Sequence, residues 1–222
     1  MLNKEFSVNI ANFRREYKQA ALEEAQMPSF PHLFFEQWLQ EALQSPMIEP
    51  TAMFLATVSD NGQPAVRTVL LKGHSQEGLL FFTNYLSRKG HEIEAQNRVA
   101  LLFYWDLLER QVRIEGIVEK VPAEVSDNYF QQRPKESQLG AIASPQSQVI
   151  ESRKQLDDVY QHLSDQYANV SGTVPRPLHW GGYIVRPTAY EFWQGRAGRL
   201  HDRLQYVFQP ETGQWLLQRL AP

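Results

Sequence analysis

The sequence predicts an α+β chain, mostly β, built as an antiparallel barrel with peripheral helices. Three observations lead there. From Thr51 onward apolar residues recur mainly with period two. The links between these stretches are hairpin-length, and Ser59-Asp60-Asn61-Gly62 carries the strongest short hairpin signal. The helical stretches are too short for regular βαβ alternation. The 222 residues read as one domain, with a helical N-terminal region over about 1–48 and the barrel over about 49–222.

Element by element, Phe13, Tyr17 and Ala20-Ala21 fall at helical spacing. Beyond Pro28 and Pro31, Phe34, Phe35, Trp38, Leu39 and Leu43 make a second helical face. Strands are expected at Ala52–Val58 and Ala65–Lys72. Gly73–Gly78 turns the chain into a third, Leu79–Thr83. Ser87 suits the N-cap of a short helix, Arg88 to Gln96. Arg98–Trp105 and Arg110–Val121 follow as strands; in the second, Val112, Ile114 and Gly116 alternate with Gln111, Arg113 and Glu115. Pro122 opens a helix at Ala123–Gln132 and Pro134 closes it, because the residue before proline avoids the α region. Leu156, Val159, Tyr160, Leu163 and Tyr167 define one face of a helix over 149–167. After a connector at Ser171–Pro177 come strands at Gly182–Arg186, Tyr190–Gln194, Leu200–Phe208 and Trp215–Leu220, the last two joined by Pro210-Glu211-Thr212-Gly213.

Composition removes several functions. With 22 Lys+Arg against 25 Asp+Glu, the chain lacks the basic excess of a nucleic-acid binder. It has no cysteine, hence no disulfide, thiolate metal site, iron–sulfur cluster or cysteine nucleophile. The histidines (His32, His74, His91, His162, His179 and His201) never pair at ligand spacing, so no metal is expected. G-x-S-x-G, H-E-x-x-H, Walker A and G-x-G-x-x-G motifs are absent. The first residues lack a signal-peptide pattern. The longest strongly apolar run, Val99 to Trp105, falls far short of the roughly 20 residues that span a bilayer. No membrane association is expected, and the expected location is cytoplasmic.

Three constellations remain. Ser87-Arg88-Lys89 places a hydroxyl and two cations at a helix N-terminus, where the dipole disfavours cations unless an anion is present. Tyr129 and Arg133 share one helix face, with Ser137 just past the Pro134 break, a set able to hold a phosphate by charge-assisted hydrogen bonds. Arg67 and Lys72 add two cations, but their parity puts them on opposite faces of a regular strand, so one site would need a bulge or a strand end. Arg199, His201 and Arg203 share one strand face by parity, and cations so aligned repel unless they meet anions or π-systems. Exposed surface charge is the competing reading for the first two; the alignment of Arg199, His201 and Arg203 is the clearest hint of a site. The residues by themselves point to one or two small phosphorylated, aromatic ligands.

Taken together the segments Arg67-Thr-Val-Leu-Leu-Lys72, Ser87-Arg-Lys89, Glu109-Arg-Gln-Val112, Arg133-Pro-Lys-Glu-Ser-Gln-Leu-Gly-Ala141, Gln146-Ser147, Trp180-Gly-Gly182, Glu191-Phe-Trp-Gln-Gly195, Arg199-Leu-His-Asp-Arg203 and Arg219-Leu-Ala-Pro222 resemble the pyridoxine/pyridoxamine 5′-phosphate oxidase family. The resemblance runs from about Arg14 to the last residue. It implies an FMN-binding split barrel acting as a homodimer with flavin at the subunit interface. The implied reaction oxidises pyridoxine or pyridoxamine 5′-phosphate to pyridoxal 5′-phosphate, with O2 reoxidising the flavin to give hydrogen peroxide. By the same resemblance the FMN-contacting positions are Arg67, Thr68, Val69, Leu70, Leu71, Lys72, Phe82, Thr83, Arg88, Lys89, Gln111, Gln146, Ser147, Trp193 and Arg203. Those facing substrate are Lys72, Tyr129, Arg133, Ser137, Arg199 and His201, with Arg14 through Tyr17 as an N-terminal cover. Arg199 and His201 are the implied catalytic pair.

Some positions depart from the family pattern. Phe82 stands where a tyrosine is common, and Leu86 replaces a small residue. Glu23-Glu24 occupies a region that is basic in relatives with a second pyridoxal phosphate site, which argues against feedback binding there. Two other readings stay open: an oxidase of phenazine precursors on the same fold, and a non-catalytic flavin-binding sensor. Lys72, Tyr129, Arg133 and Ser137 together speak against the first, and Arg199 with His201 against the second.

Overall fold

The computed structural model describes residues 16–17, 21–168 and 173–222. Its strands are β1 (Ala52–Val58), β2 (Pro64–Leu70), β3 (Gly73–Ser75), β4 (Gly78–Asn84), β5 (Arg98–Trp105), β6 (Arg110–Lys120), β7 (Trp180–Gln194), β8 (Asp202–Gln209) and β9 (Gln214–Leu220). The helices are α1 (Pro31–Gln44), α2 (Arg88–Ala95), α3 (Ala123–Gln132), α4 (Lys135–Ala143) and α5 (Arg153–Ala168). The strands form one antiparallel sheet in the order β2-β1-β5-β6-β7-β4-β3, with β8 on the far half of β7 and β9 on β8. Strand β2 comes back toward β4, so the sheet curls into a half-barrel.

Burial follows the two periodicities. On β1, β5 and β6 alternate residues face inward, putting Met53, Leu55, Leu101, Phe103, Val112 and Ile114 at essentially no exposure. Helix α1, opened by Pro31 at its first turn, buries Phe34, Phe35, Trp38, Leu39 and Ala42 against that face. Phe35 meets Phe103 at 5.1 Å between ring centroids, and Trp38 meets Phe192 at 5.4 Å. Each large side chain so buried contributes about 1.5–3 kcal/mol. A smaller cluster of Phe130, Leu139, Val174 and Trp180 joins α3 and α4 to the start of β7, with Tyr160, Leu163 and Tyr167 of α5 packed on it.

The differences from expectation have local causes. Gly73–Gly78 holds a short strand, β3, before its turn. The segments 182–186 and 190–194 are one strand, because a bulge opposite Glu115/Gly116 absorbs the proline that breaks the pattern. Gly116 pairs with Pro187 and Glu115 with Ala189. Thr188 is the extra residue, and its hydroxyl donates to the Glu115 carbonyl at 3.2 Å. A Cβ at Gly116 would collide with the Arg186 carbonyl. Past Pro134 the chain starts a new helix, α4, since Pro134 lies just ahead of its first turn. The helix expected over 149–167 begins at Arg153. Around Tyr17, residues 16–17 are non-helical, and the other residues of the first expected helical face up to Ala20 lie outside the described residues.

Candidate active site

Ser87 caps α2, its Oγ accepting from the Gly90 amide at 3.3 Å, which fixes where Arg88 and Lys89 project. Lys89 is 9% exposed. Its ammonium donates to Thr83 Oγ1 (3.1 Å), Ser87 Oγ (3.2 Å) and Gln146 Oε1 (2.9 Å). Among the described residues no carboxylate pairs with it. Burial, and then repulsion from Arg67, push Lys89 down to about 8. The nearby carboxylate, Glu92, is itself buried and is shared by Arg67 Nη2 (2.9 Å) and Arg88 Nε (2.7 Å). Thr57 also donates to Glu92, and Arg67 Nη1 donates to the Thr57 hydroxyl and to the Leu55 carbonyl at 3.1 Å. Three cations thus stand around one carboxylate.

Lys89 opens onto a cavity of about 310 Å³ walled by Thr68, Val69, Leu70 and Lys72 at the end of β2, by Phe82 and Thr83 on β4, and by Tyr129, Arg133, Gln146 and Trp180. Strand β2 ends at Leu70, so Lys72 escapes the parity that sets it opposite Arg67 and reaches this cavity from beyond the strand end. Phe82 stacks on Tyr129 at 3.9 Å and on Trp180 at 5.5 Å, and those two rings are themselves 6.2 Å apart and near parallel, so the phenylalanine keeps a packing role without a hydroxyl. Arg133, at the C-cap of α3, has its guanidinium 4.6 Å from the Trp180 ring. Its Nη1 is buried with no hydrogen-bond partner among the described residues. A buried donor of this kind is costly unless a ligand takes it up.

A second cluster lies at the other end of β7. Trp193 packs on His201 at 4.6 Å, and Tyr17 meets both rings edge-on at 5.6 and 5.4 Å. The Arg196 amide donates to His201 Nδ1 at 3.1 Å, which leaves the proton of the neutral ring on Nε2. Burial and then Arg199 lower the His201 pKa, favouring that neutral form. The shared strand face expected for Arg199, His201 and Arg203 does not exist. Strand β8 starts only at Asp202, and Arg199 lies in a short helical turn with φ of 61°. Arg203 is on the strand and pairs with Glu191 at 2.9 Å, which also takes Arg113 at 2.7 Å.

The other expected residues fall around these clusters. Gln111 on β6 is in register with Trp193, at the second cluster. Leu71 is buried in the core, Ser147 has a left-handed φ of 72° beside Gln146, and Ser137 sits on α4 outside the cavity wall. Arg14 lies outside the described residues. Sequence reasoning missed Glu92, Thr57 and Asp202, whose roles arise from contacts 10 to 180 positions away in sequence. No group of three or more potential metal-ligating side chains occurs among the described residues, and no helix there is long and apolar enough to cross a membrane.

Residues 39–167 match the family model described as pyridoxamine 5′-phosphate oxidase, and residues 180–222 match the pyridoxine 5′-phosphate oxidase C-terminal dimerisation region. The chain is 51% identical over 214 residues to the pyridoxine/pyridoxamine 5′-phosphate oxidase of Acaryochloris marina, covering 96% of each protein. It is 52% identical to that of Leptospira interrogans, covering 96% of this chain and 98% of the relative. Among solved structures it is similar to PhzG from Burkholderia lata in complex with tetrahydrophenazine-1-carboxylic acid, with a TM-score of 0.86, 27% identity, and coverage of 94% and 100%. A pyridoxamine 5′-phosphate oxidase-related, FMN-binding protein from Nostoc punctiforme shares the fold at a TM-score of 0.69 and 16% identity, with coverage of 89% and 99%. This chain is a member of the pyridoxamine 5′-phosphate oxidase family of oxidoreductases.

Proposed function

We propose that this chain is a cytoplasmic homodimeric oxidase that converts pyridoxine or pyridoxamine 5′-phosphate to pyridoxal 5′-phosphate with FMN as cofactor. The observation that carries this reading is the uncompensated positive charge around one cavity. Among the described residues Lys89 has neutral oxygens and no carboxylate for partners, and Arg133 keeps a buried Nη1 with none. Two phosphates, one from FMN and one from substrate, satisfy both.

In this reading Lys89, with Arg67 and Arg88 held in place by Glu92, binds the FMN phosphate at the start of α2. Thr68, Val69 and Leu70 face the cofactor from β2. Lys72, Tyr129 and Arg133 take the substrate phosphate, with Ser137 beyond them on α4. When bound, FMN would supply a two-electron acceptor for the hydride leaving substrate C4′, with O2 as final oxidant giving hydrogen peroxide; from the amine substrate, water would then hydrolyse the imine and release ammonia. Arg199 and His201 orient the pyridine ring, with His201 Nε2 as hydrogen-bond donor, and Tyr17 excludes water above them. Orientation of this kind can supply several kcal/mol of the barrier.

The two clusters are 13 residues apart on β7, between Trp180 and Trp193, which is roughly 40 Å of strand. One chain holds the phosphate-binding groups at one end of that strand and the ring-orienting groups at the other. A twofold dimer lets each subunit offer both ends to two shared sites, which supports FMN at the interface.

A second reading, oxidation of a phenazine precursor, draws on the overall similarity to PhzG. One experiment separates them. The flavin absorption of the purified holoprotein is recorded anaerobically with pyridoxine 5′-phosphate, then after admitting air. Bleaching and recovery support the vitamin B6 reading. A flavin band that ignores the phosphate ester and bleaches with a reduced phenazine carboxylic acid refutes it.

A further inference from the structure

Asp202 is 7% exposed and carries a carboxylate with three donors on it. Its Oδ2 accepts from the Leu22 amide at 3.1 Å and from Arg196 Nη1 at 3.0 Å, and its Oδ1 accepts from Arg219 Nη1 at 2.6 Å. Burial alone would raise this carboxyl; the Leu22 N–H and the two guanidinium groups outweigh burial and hold it below its usual range. Arg219, on the last strand, reaches further. Its Nη2 donates to the Leu22 carbonyl at 2.7 Å, and its Nε and Nη2 grip both oxygens of Glu24 at 2.6 and 2.8 Å. Both backbone polar groups of Leu22 are therefore occupied by one ion network that is tied to β8 and β9. A carboxylate with several charge-assisted bonds in fixed directions sets geometry more firmly than a single exposed pair.

Each end of this network meets the second cluster. Arg196 gives its guanidinium to Asp202 and its backbone N–H to the ring of His201, the residue just before Asp202. Five positions before Leu22, Tyr17 covers His201 and Trp193, and it lies so close to Gly195 that a Cβ there would stand 2.7 Å from the Tyr17 ring. The cover and the turn that carries His201 thus share one anchor.

We infer that Asp202 is a positioning residue, with Arg219 and Glu24 as its outer latch, that holds the N-terminal cover bearing Tyr17 and the Arg196–His201 turn in register with each other. This rests on the oxidase reading for its effect on turnover, but not for the clasp itself. The role explains why a carboxylate next to His201 points away from the ring toward the chain termini. It also gives the exposed ion pair between Glu24 and Arg219 a job other than stability.

The test uses full-length holoprotein with Asp202→Asn, and Arg219→Ala as a second variant that leaves the Asp202–Arg196 contact in place. Hydrogen exchange at the Leu22 amide should be at least about tenfold faster in both. With pyridoxine 5′-phosphate, Arg219→Ala should raise KM about fivefold and leave kcat within about twofold, because the cover loosens while the His201 turn stays held. Asp202→Asn should lower kcat as well, because the turn is released. Leu22 exchange within twofold of wild type in both variants overturns the inference. So does faster exchange with KM and kcat unchanged, since the network is then only structural. A wild-type protein that turns over neither vitamin B6 phosphate refutes the oxidase reading, and the Leu22 exchange rates still decide the clasp.

Discussion

Lys89→Met should make the apoprotein more stable and the holoprotein harder to assemble. The Lys89 ammonium is pushed down to about 8 from an ordinary value near 10.4. That difference corresponds to about 3 kcal/mol, which partial solvent contact reduces to about 1–2 kcal/mol. The unfolded chain keeps this proton up to about pH 10, whereas the folded chain releases it near pH 8. The destabilisation is therefore complete below pH 8 and fades as pH rises toward about 10. Methionine removes the charge and keeps most of the length, so Tm of the apoprotein at pH 7 should rise by roughly 2–8 °C. The gain over wild type should shrink to nothing near pH 10. Over the same comparison the FMN dissociation constant should rise about 10- to 100-fold, because a charge-assisted contact contributes about 1.5–3 kcal/mol. Differential scanning fluorimetry across pH and flavin titration read the two effects. A variant less stable than wild type by a pH-independent amount, or one that binds FMN within twofold of wild type, would refute the reasoning.

Three more outcomes test the neighbouring groups. Arg133→Ala should raise KM for the phosphorylated substrate more than tenfold with FMN content unchanged; steady-state kinetics with an unaltered KM removes it from the phosphate site. Arg199→Ala should cut kcat/KM by two orders of magnitude or more while flavin stays bound, and an undiminished rate excludes its orienting role. Glu92→Gln should destabilise the fold by about 2–4 kcal/mol by denaturant unfolding, since it leaves Arg67 and Arg88 without their shared anion. In wild type the hydrogen bonds to Thr57, Arg88 and Arg67 outweigh burial and hold the Glu92 carboxyl below its usual range. Its contribution is present above about pH 4.3 and is lost as pH falls through the folded value. A variant gap that does not narrow on acidification contradicts this.

Strands β1, β5 and β6 were legible because one face of each is buried and the period of two shows through, as in Val112, Ile114 and Gly116 against Gln111, Arg113 and Glu115. The N-cap at Ser87 was legible because capping is local. Legibility failed where tertiary pairing overrode a local break. Pro187 reads as the end of a strand, and only the partner strand reveals that a bulge carries the ladder past it. At the site the cations could be named from spacing, but their countercharges could not. Glu92 lies in the same helix as Arg88, yet its contact with Arg67 depends on how α2 packs on β1. Asp202 reads as one charge in Arg199-Leu-His-Asp-Arg203, and its partners Leu22 and Arg219 come from the two ends of the chain. Arg199, His201 and Arg203 would share a strand face only if β8 began before Asp202, and the turn at 197–199 prevents that.

The separation of the two clusters along β7 yields a test that no single-chain site can pass. Arg133 lies at the Trp180 end of that strand and Arg199 near the Trp193 end. If one active site takes its phosphate-binding groups from one subunit and its ring-orienting groups from the other, Arg133→Ala and Arg199→Ala damage complementary halves. Unfolding and refolding an equal mixture gives about half heterodimers by random pairing. Each heterodimer has one site with both lesions and one with neither. The mixture should recover about a quarter of wild-type activity, far above either variant alone, and the recovered KM should be that of wild type. Were both clusters to serve a site within one chain, every chain in the mixture would still carry a lesion, and activity would stay at the average of the two variants. Recovery near a quarter, with a wild-type KM, requires that the site be assembled across the twofold axis.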